Sequence, residues 1–168
     1  VHTSPEDRHC SVARSLDIVG DRWSPLIIRD VALGVSRFDA MQRDLGISRK
    51  VLTQRLQALI DHEVLEKVAY SEHPPRFDYR LTEKGNDLTM VVLALQQFGD
   101  KWLVGEEGPP LLWRHLGCGE LSSPVVCCDR CGEQVAPGDA VPVKGPGFRE
   151  EDGPGLSAAI DALHALVE

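Results

Sequence analysis

The sequence predicts a mainly α fold with a small β-wing, an α+β class, followed by a small Cys-containing segment. Three observations predict it. The first hundred residues divide into short amphipathic stretches, several of them closed by glycine. Two stretches of alternating apolar and polar residues flank "EHPPR". After Leu103 the composition turns to Gly, Pro and Cys, with only short apolar runs.

The elements follow in order. "CSVARSLDIVG" places Val12, Leu16 and Val19 at helical spacing and stops at Gly20. "SPLIIRDVALG" offers Ser24 as an N-cap, Pro25 at the first helical position and Gly34 as a stop. "SRFDAMQRDLG" is a third short helix with Phe38, Met41 and Leu45 inward and Gly46 at its end. Ser48 caps a fourth helix, whose Leu52, Leu56, Leu59 and Ile60 form one apolar stripe. Val68 and Tyr70, then Phe77, Tyr79 and Leu81, alternate as two strands joined at the "EHPPR" tip. Thr82 caps a long helix with Leu88, Val91, Val92, Leu95, Phe98 and Trp102 on one stripe. Four helices, two strands and a helix in this order describe a helix-turn-helix with a β-wing.

Domain boundaries follow from composition. Residues 1–104 form the winged helix-turn-helix unit, 105–117 a linker, and 118–148 a small ribbon-like segment rich in Gly, Pro and Cys. Residues 149–168 hold a second linker and an amphipathic helix with Leu156, Ala159, Ile160, Leu163, Leu166 and Val167 on one face. No internal repeat is evident at this level. The formal charge of -8 is unevenly spread. Residues 1–104 hold 14 Lys+Arg against 15 Asp+Glu, whereas 105–168 hold 4 against 11. The near-neutral winged unit can therefore carry a local basic face despite the acidic total. The longest apolar run, Met90 to Leu95, is too short to span a membrane, and "VHTSPEDRHC" has no apolar signal core. The expected setting is cytoplasmic, where five thiols stay reduced or bind metal.

Five local motifs resemble the HxlR-type family of winged helix-turn-helix transcription regulators, relatives of the MarR group. They are Cys10 with the following helix and "VGDRW", then "GVSRFDAM", "GISRKVLTQRLQALIDHEVLEK" and "PPRFDYRLTEKG", which together cover roughly residues 10–104. Two departures stand out. Met41 replaces a usual Leu, and Glu63–Val64 stands where the family has Gly-Leu before the first wing strand. The resemblance implies a homodimer on a pseudopalindromic operator, dimer contacts from the first and last helices of the domain, and no catalytic activity.

The fourth helix carries the expected chemistry. Arg49, Lys50 and Arg55 fall in a window, Ile47 to Ile60, that contains no acid. Such a face is often merely solvated. Here the helix follows the short turn "GIS" and precedes a wing, the geometry that puts a helix N-terminus into the major groove. Ser48, Arg49, Lys50, Thr53, Gln54, Arg55 and Gln57 are the expected contacts to double-stranded DNA. Arg and Lys match guanine edges, Gln54 matches adenine, and Ser48 at a helix N-terminus suits phosphate. Arg76 at the stiff wing tip is placed for a phosphate or a minor groove. Trp23 and Trp102 are read as packing residues.

The cysteines carry two further expectations. His115, Cys118, Cys128 and Cys131 have the spacing of two facing knuckles around a structural zinc, with Cys127 as an alternative to Cys128. The competing reading is free thiols in a loose tail. Cys10 is either a small buried apolar residue at a helix start or, beside Arg8 and His9, a redox-sensing thiol. No phosphate-binding loop, dinucleotide fingerprint, nucleophile elbow or paired-carboxylate pattern supports an enzyme. A protein-interaction adaptor working through the acidic tail is the alternative from another class. The sequence names no small-molecule effector.

Overall fold

A computed structural model describes residues 10–149 and 153–165. Its elements are α1 (Ser11–Val19), α2 (Ser24–Ala32), α3 (Phe38–Leu45), α4 (Arg49–Asp61), β1 (Leu65–Glu72), β2 (Pro75–Leu81), α5 (Glu83–Trp102), β3 (Trp113–Arg114), β4 (Leu121–Ser122) and α6 (Pro154–His164). The winged helix-turn-helix order is thus the one the sequence predicts.

The core is built around α2. Ile27, Ile28 and Val31 meet Met41 of α3, Leu52, Leu56 and Leu59 of α4, and Val64, Leu65 and Tyr79 beside the wing. The α4 stripe is inward as expected, because residues four and seven apart return to one helical face. The third helix also behaves as read. Met41 is fully buried, Phe38 and Leu45 pack at its edge, and Gly46 closes it at φ 62. Thr82 caps α5 by accepting the Gly85 N–H.

The start of α2 differs from expectation. Ser24 is the first helical residue rather than the cap, and it is buried. Asp21 does the capping. Its Oδ1 accepts the N–H groups of Trp23 (2.8 Å) and Ser24 (3.1 Å), and its Oδ2 accepts the Ser24 hydroxyl. Both residue types satisfy orphan N–H groups. The carboxylate wins because it reaches three donors at once and also faces Arg55, 3.4 Å away. Burial alone would raise the Asp21 carboxyl. The Ser24 hydroxyl, the Trp23 and Ser24 N–H groups and Arg55 outweigh burial and hold it below the ordinary 3.8.

A folded-state value below the unfolded one stabilises the fold above the carboxylate range, and that stability is lost as pH falls through it. Asp21→Asn should therefore lower the urea midpoint at neutral pH. The gap from the unmodified chain should shrink below about pH 4. A gap that is independent of pH would remove the charge from this account.

The turn after α4 explains the departure at Glu63–Val64. His62 ends the helix, Glu63 N–H donates to Ile60 O (2.8 Å), and Val64 N–H donates to Leu59 O (2.8 Å). This is a Schellman closure, whose residue after the cap adopts a left-handed conformation, usually as glycine. Glu63 sits there at φ 58, the single positive-φ residue other than glycine among those described. The turn is kept at a steric cost of about 1–2 kcal/mol. Thr82 helps to hold it, donating its hydroxyl to Glu63 O at 2.6 Å. Glu63→Gly should raise stability by about 1 kcal/mol, part of the relief being offset by the freer unfolded chain. An unchanged urea midpoint would show that the turn is not strained.

The wing is an antiparallel pair with Leu65 opposite Leu81 and Glu72 opposite Pro75, irregular between Ala69 and Ser71. Its second strand β2 is also tied, on the side away from β1, to the segment before α3. Tyr79 N–H donates to Ser36 O (2.8 Å), and Arg37 bridges to Asp78. The wing is therefore fixed against the α3 side of the domain.

Two helices leave apolar surface uncovered. None of the α1 residues is buried, and Val12 and Leu16 are exposed. The α5 stripe splits. Leu88 and Val92 pack on the core, while Val91, Leu95, Phe98 and Trp102 face outward, Phe98 at 58% and Trp102 at 65% exposure.

The C-terminal region departs from the sequence reading in two ways, at the linker and in α6. The expected linker 105–117 ends early, since 113–117 belong to a hairpin with β3. A two-residue strand has no periodicity to betray it. Between Leu103 and Arg149 no residue is buried. In α6, Ser157 and Ile160 are inward, whereas Leu156 and Leu163 are exposed, so the inward face is not the full expected stripe. Asp161 of α6 holds Lys144 at 2.8 Å, which anchors the helix through a polar contact. Leu166, Val167, Arg8 and His9 lie outside the described residues.

Candidate nucleic-acid interface

The N-terminal half of α4 is the exposed end of the helix-turn-helix. Ser48 caps it, its Oγ accepting the Val51 N–H at 3.3 Å. The hydroxyl proton remains free to reach outward. Lys50, Thr53 and Gln54 are exposed and make no side-chain hydrogen bond or ion pair among the described residues. Their spacing puts Lys50 and Gln54 on the face opposite Leu52, Leu56 and Leu59, with Thr53 on its flank. Unpartnered donors and acceptors on a helix end are what base-edge reading requires.

The remaining expected contacts have intramolecular partners. Arg49 pairs with Asp39 at 3.1 Å, reaches Gln42 Oε1 at 3.3 Å and lies over the Phe38 ring at 4.7 Å. It is steered but still exposed. Gln57 donates to Asp61 Oδ1 one turn on, at 2.8 Å. Arg55 is placed differently from the sequence reading. It is half-buried, its Nε faces Asp21, and it ties α4 to the turn before α2. The acid-free window made Arg55 look outward, but its acid comes from 34 positions upstream, outside that window.

Sequence reasoning missed two cations. Arg37, Arg43, Arg49 and Arg76 line one cleft between α3 and the wing, with Phe77 and Tyr79 on its wall and Asp39 as the acid there. Arg37 is positioned by Asp78 at 3.6 Å and by stacking on Tyr70 at 4.8 Å. Arg76 is exposed at the wing tip opposite Ser71. The cleft adjoins the free face of α4 through Arg49. A groove of guanidinium groups beside a helix N-terminus attracts phosphate.

A helix-turn-helix with an exposed, basic second helix and a wing carrying Arg76 at its tip is the arrangement to compare with known proteins. Residues 18–107 match the model of the HxlR-like helix-turn-helix family. The chain belongs to the HxlR-like helix-turn-helix family. It is accordingly a DNA-binding transcription regulator, and its relatives are named HTH-type transcriptional regulators. An uncharacterised HTH-type transcriptional regulator of Mycobacterium tuberculosis is 44% identical over 139 residues, which span 83% of this chain and 88% of the relative. The crystal structure of PA1607, a protein assigned as a transcription factor, aligns with TM-score 0.74 and 31% identity over 85% of this chain and 100% of that one. PA1374 of Pseudomonas aeruginosa, likewise assigned as a transcription factor, aligns with TM-score 0.59 and 34% identity over 84% and 97%. The 139 aligned residues exceed the 104 of the winged unit, so at least 35 of them lie beyond it. The HxlR-like domain ends near residue 107, yet this relative shares sequence past that point.

The cysteine positions resolve in part. Cys10 is exposed at the N-cap of α1, so the reading as a small buried residue does not describe it. His115 Nδ1 lies 3.3 Å from Cys118 Sγ. The Cys131 and Arg130 N–H groups, and then the Cys131 thiol, bond to the Cys128 sulfur and hold that thiol below its ordinary 9.0. The four expected ligands thus stand as two pairs. Among the described residues, no three His, Cys, Asp or Glu side chains are gathered as a metal-holding group. No helix among them is long and apolar enough to cross a membrane.

Proposed function

We propose that two copies of the chain bind a pseudopalindromic operator, each laying α4 in a major groove. The observation that carries this reading is the unpartnered face of Lys50, Thr53 and Gln54 at the exposed end of α4. Lys50 and Gln54 read base edges, with Thr53 beside them. Ser48, Arg49, Arg37, Arg43 and Arg76 hold phosphates and set the register. Arg55 serves by positioning α4 against Asp21.

The homodimer forms through α1 and the outward stripe of α5. Val12, Leu16, Val91, Leu95, Phe98 and Trp102 leave an apolar surface on the single chain that a second copy covers. The acidic total charge does not oppose DNA binding, because the acid is concentrated beyond residue 104.

The test is selection of duplexes from a random pool by the full chain, followed by affinity measurement over a range of salt. A symmetric enriched sequence is expected, bound far more tightly than unrelated DNA. The log–log salt slope should be about -0.9 per phosphate neutralised. Enrichment of nothing, or affinity indifferent to salt, would count against the proposal and for an adaptor acting through the tail.

A further inference from the structure

The C-terminal region contains a repeat. "WRHLGCGELS", residues 113–122, and "VCCDRCGEQV", residues 126–135, superimpose in sequence at an interval of 13 as His/Cys-x-x-Cys-Gly-Glu. The backbone repeats with it. In the first unit His115 N–H donates to Glu120 O and Gly119 N–H donates to His115 O. In the second, Cys128 N–H donates to Glu133 O and Gly132 N–H donates to Cys128 O. Gly119 and Gly132 turn the chain at φ 77 and 76. The flanking ladders correspond too. Arg114 pairs with Leu121 as Cys127 pairs with Gln134.

Each unit is a hairpin whose tip brings its first and fourth residues together. In the first, the imidazole folds over the turn so closely that a Cβ at Gly117 would lie 2.8 Å from His115 Cε1. His115 Nδ1 then stands 3.3 Å from Cys118 Sγ. Zinc bonds of about 2.3 Å to sulfur and 2.0–2.1 Å to nitrogen at a tetrahedral angle set those atoms about 3.6 Å apart. In the second, the same turn brings Cys131 back towards Cys128, Gly132 N–H donating to Cys128 O at 2.8 Å. No apolar core holds these hairpins, since no residue from Leu103 to Arg149 is buried.

We infer that the two hairpin tips are half-sites that close on one structural zinc ion, bound by His115 Nδ1 and the sulfurs of Cys118, Cys128 and Cys131. The metal supplies the fixed point that the missing apolar core does not. Cys127 is excluded as a ligand, because it occupies the ladder position that Arg114 occupies in the first unit. The centre would secure an appendage that already grips α5. Trp113 Nε1 donates to Gln96 Oε1 (3.0 Å), Gln96 donates to Leu111 O (3.1 Å), and Gln97 donates to Pro124 O. The zinc then braces the side of the helix next to the proposed dimer face.

The experiment measures zinc in the full chain purified with the metal supplied and then freed of loosely bound ions. One zinc per chain is expected, retained in Cys127→Ser and lost in Cys131→Ser. Cobalt(II) added to the metal-free unmodified chain should give the visible bands of a tetrahedral thiolate site, a readout that needs no variant to fold. A zinc-free chain without a tetrahedral cobalt spectrum would overturn the inference. So would one ion per two chains, or loss of zinc from Cys127→Ser.

Discussion

Phe98→Asp should convert the protein from dimer to monomer. Phe98 lies at the centre of the outward α5 stripe, flanked by Leu95 and Trp102, and it is outside the residues packed on the domain core. The single-chain fold should survive, with an unchanged thermal transition of the winged unit. Loss of a central aromatic anchor costs about 2 kcal/mol or more. A twofold interface loses it twice. The dimer dissociation constant should therefore rise on the order of 10³-fold or more, at 1.4 kcal/mol per factor of ten. Operator affinity should fall with it, because each half-site is then bound alone. Sedimentation velocity at micromolar concentration reads the outcome. A variant that remains dimeric would move the interface elsewhere.

Lys50→Ala and Gln54→Ala should each cost about 1–3 kcal/mol per half-site in specific binding, a loss of roughly 5- to 150-fold. Binding to unrelated duplexes should change far less with Gln54→Ala, since an uncharged side chain releases no counterion. Arg76→Ala and Arg37→Ala should behave in the opposite way. They should weaken all sequences alike and reduce the salt slope by about 0.9 for each phosphate contact removed. Arg55→Ala separates the two groups. It removes the partner of Asp21, so its effect should appear in stability and only indirectly in specificity. Titration of selected and scrambled duplexes by fluorescence anisotropy distinguishes these patterns. An unaltered specificity ratio in Lys50→Ala and Gln54→Ala would take α4 out of the groove.

Much of the winged unit was legible because its signals are local. Leu52, Leu56 and Leu59 announce their face by spacing alone, and Ser48, Gly46 and Thr82 mark ends where few alternatives exist. The cap of α2 was misread because Asp21 and Ser24 both suit the task and lie three residues apart. The choice turned on the reach of the Asp21 carboxylate to three donors at once, with Arg55, distant in sequence, adding to it. Arg37 and Arg43 could not be read as part of the interface, since they meet Arg76 only when the wing folds back beside α3. The left-handed Glu63 was flagged by its departure from a family glycine, but its conformation follows from the Schellman bonds rather than from its own preference. The tandem hairpins were readable in principle. Cys-Gly-Glu occurs twice at an interval of 13, yet ladders of only one or two residue pairs give no alternation to draw attention to it.

The central claim is that a symmetric pair of α4 helices reads DNA one turn apart. Hydroxyl-radical and guanine-methylation footprinting of the full chain on its selected duplex tests it most directly. Two protected major-groove segments related by a twofold axis are expected, with centres about 10–10.5 base pairs, or ~34–36 Å, apart. The guanines protected in each should lose protection in Lys50→Ala. A single protected segment, or protection spread along the duplex without regard to sequence, would contradict the account.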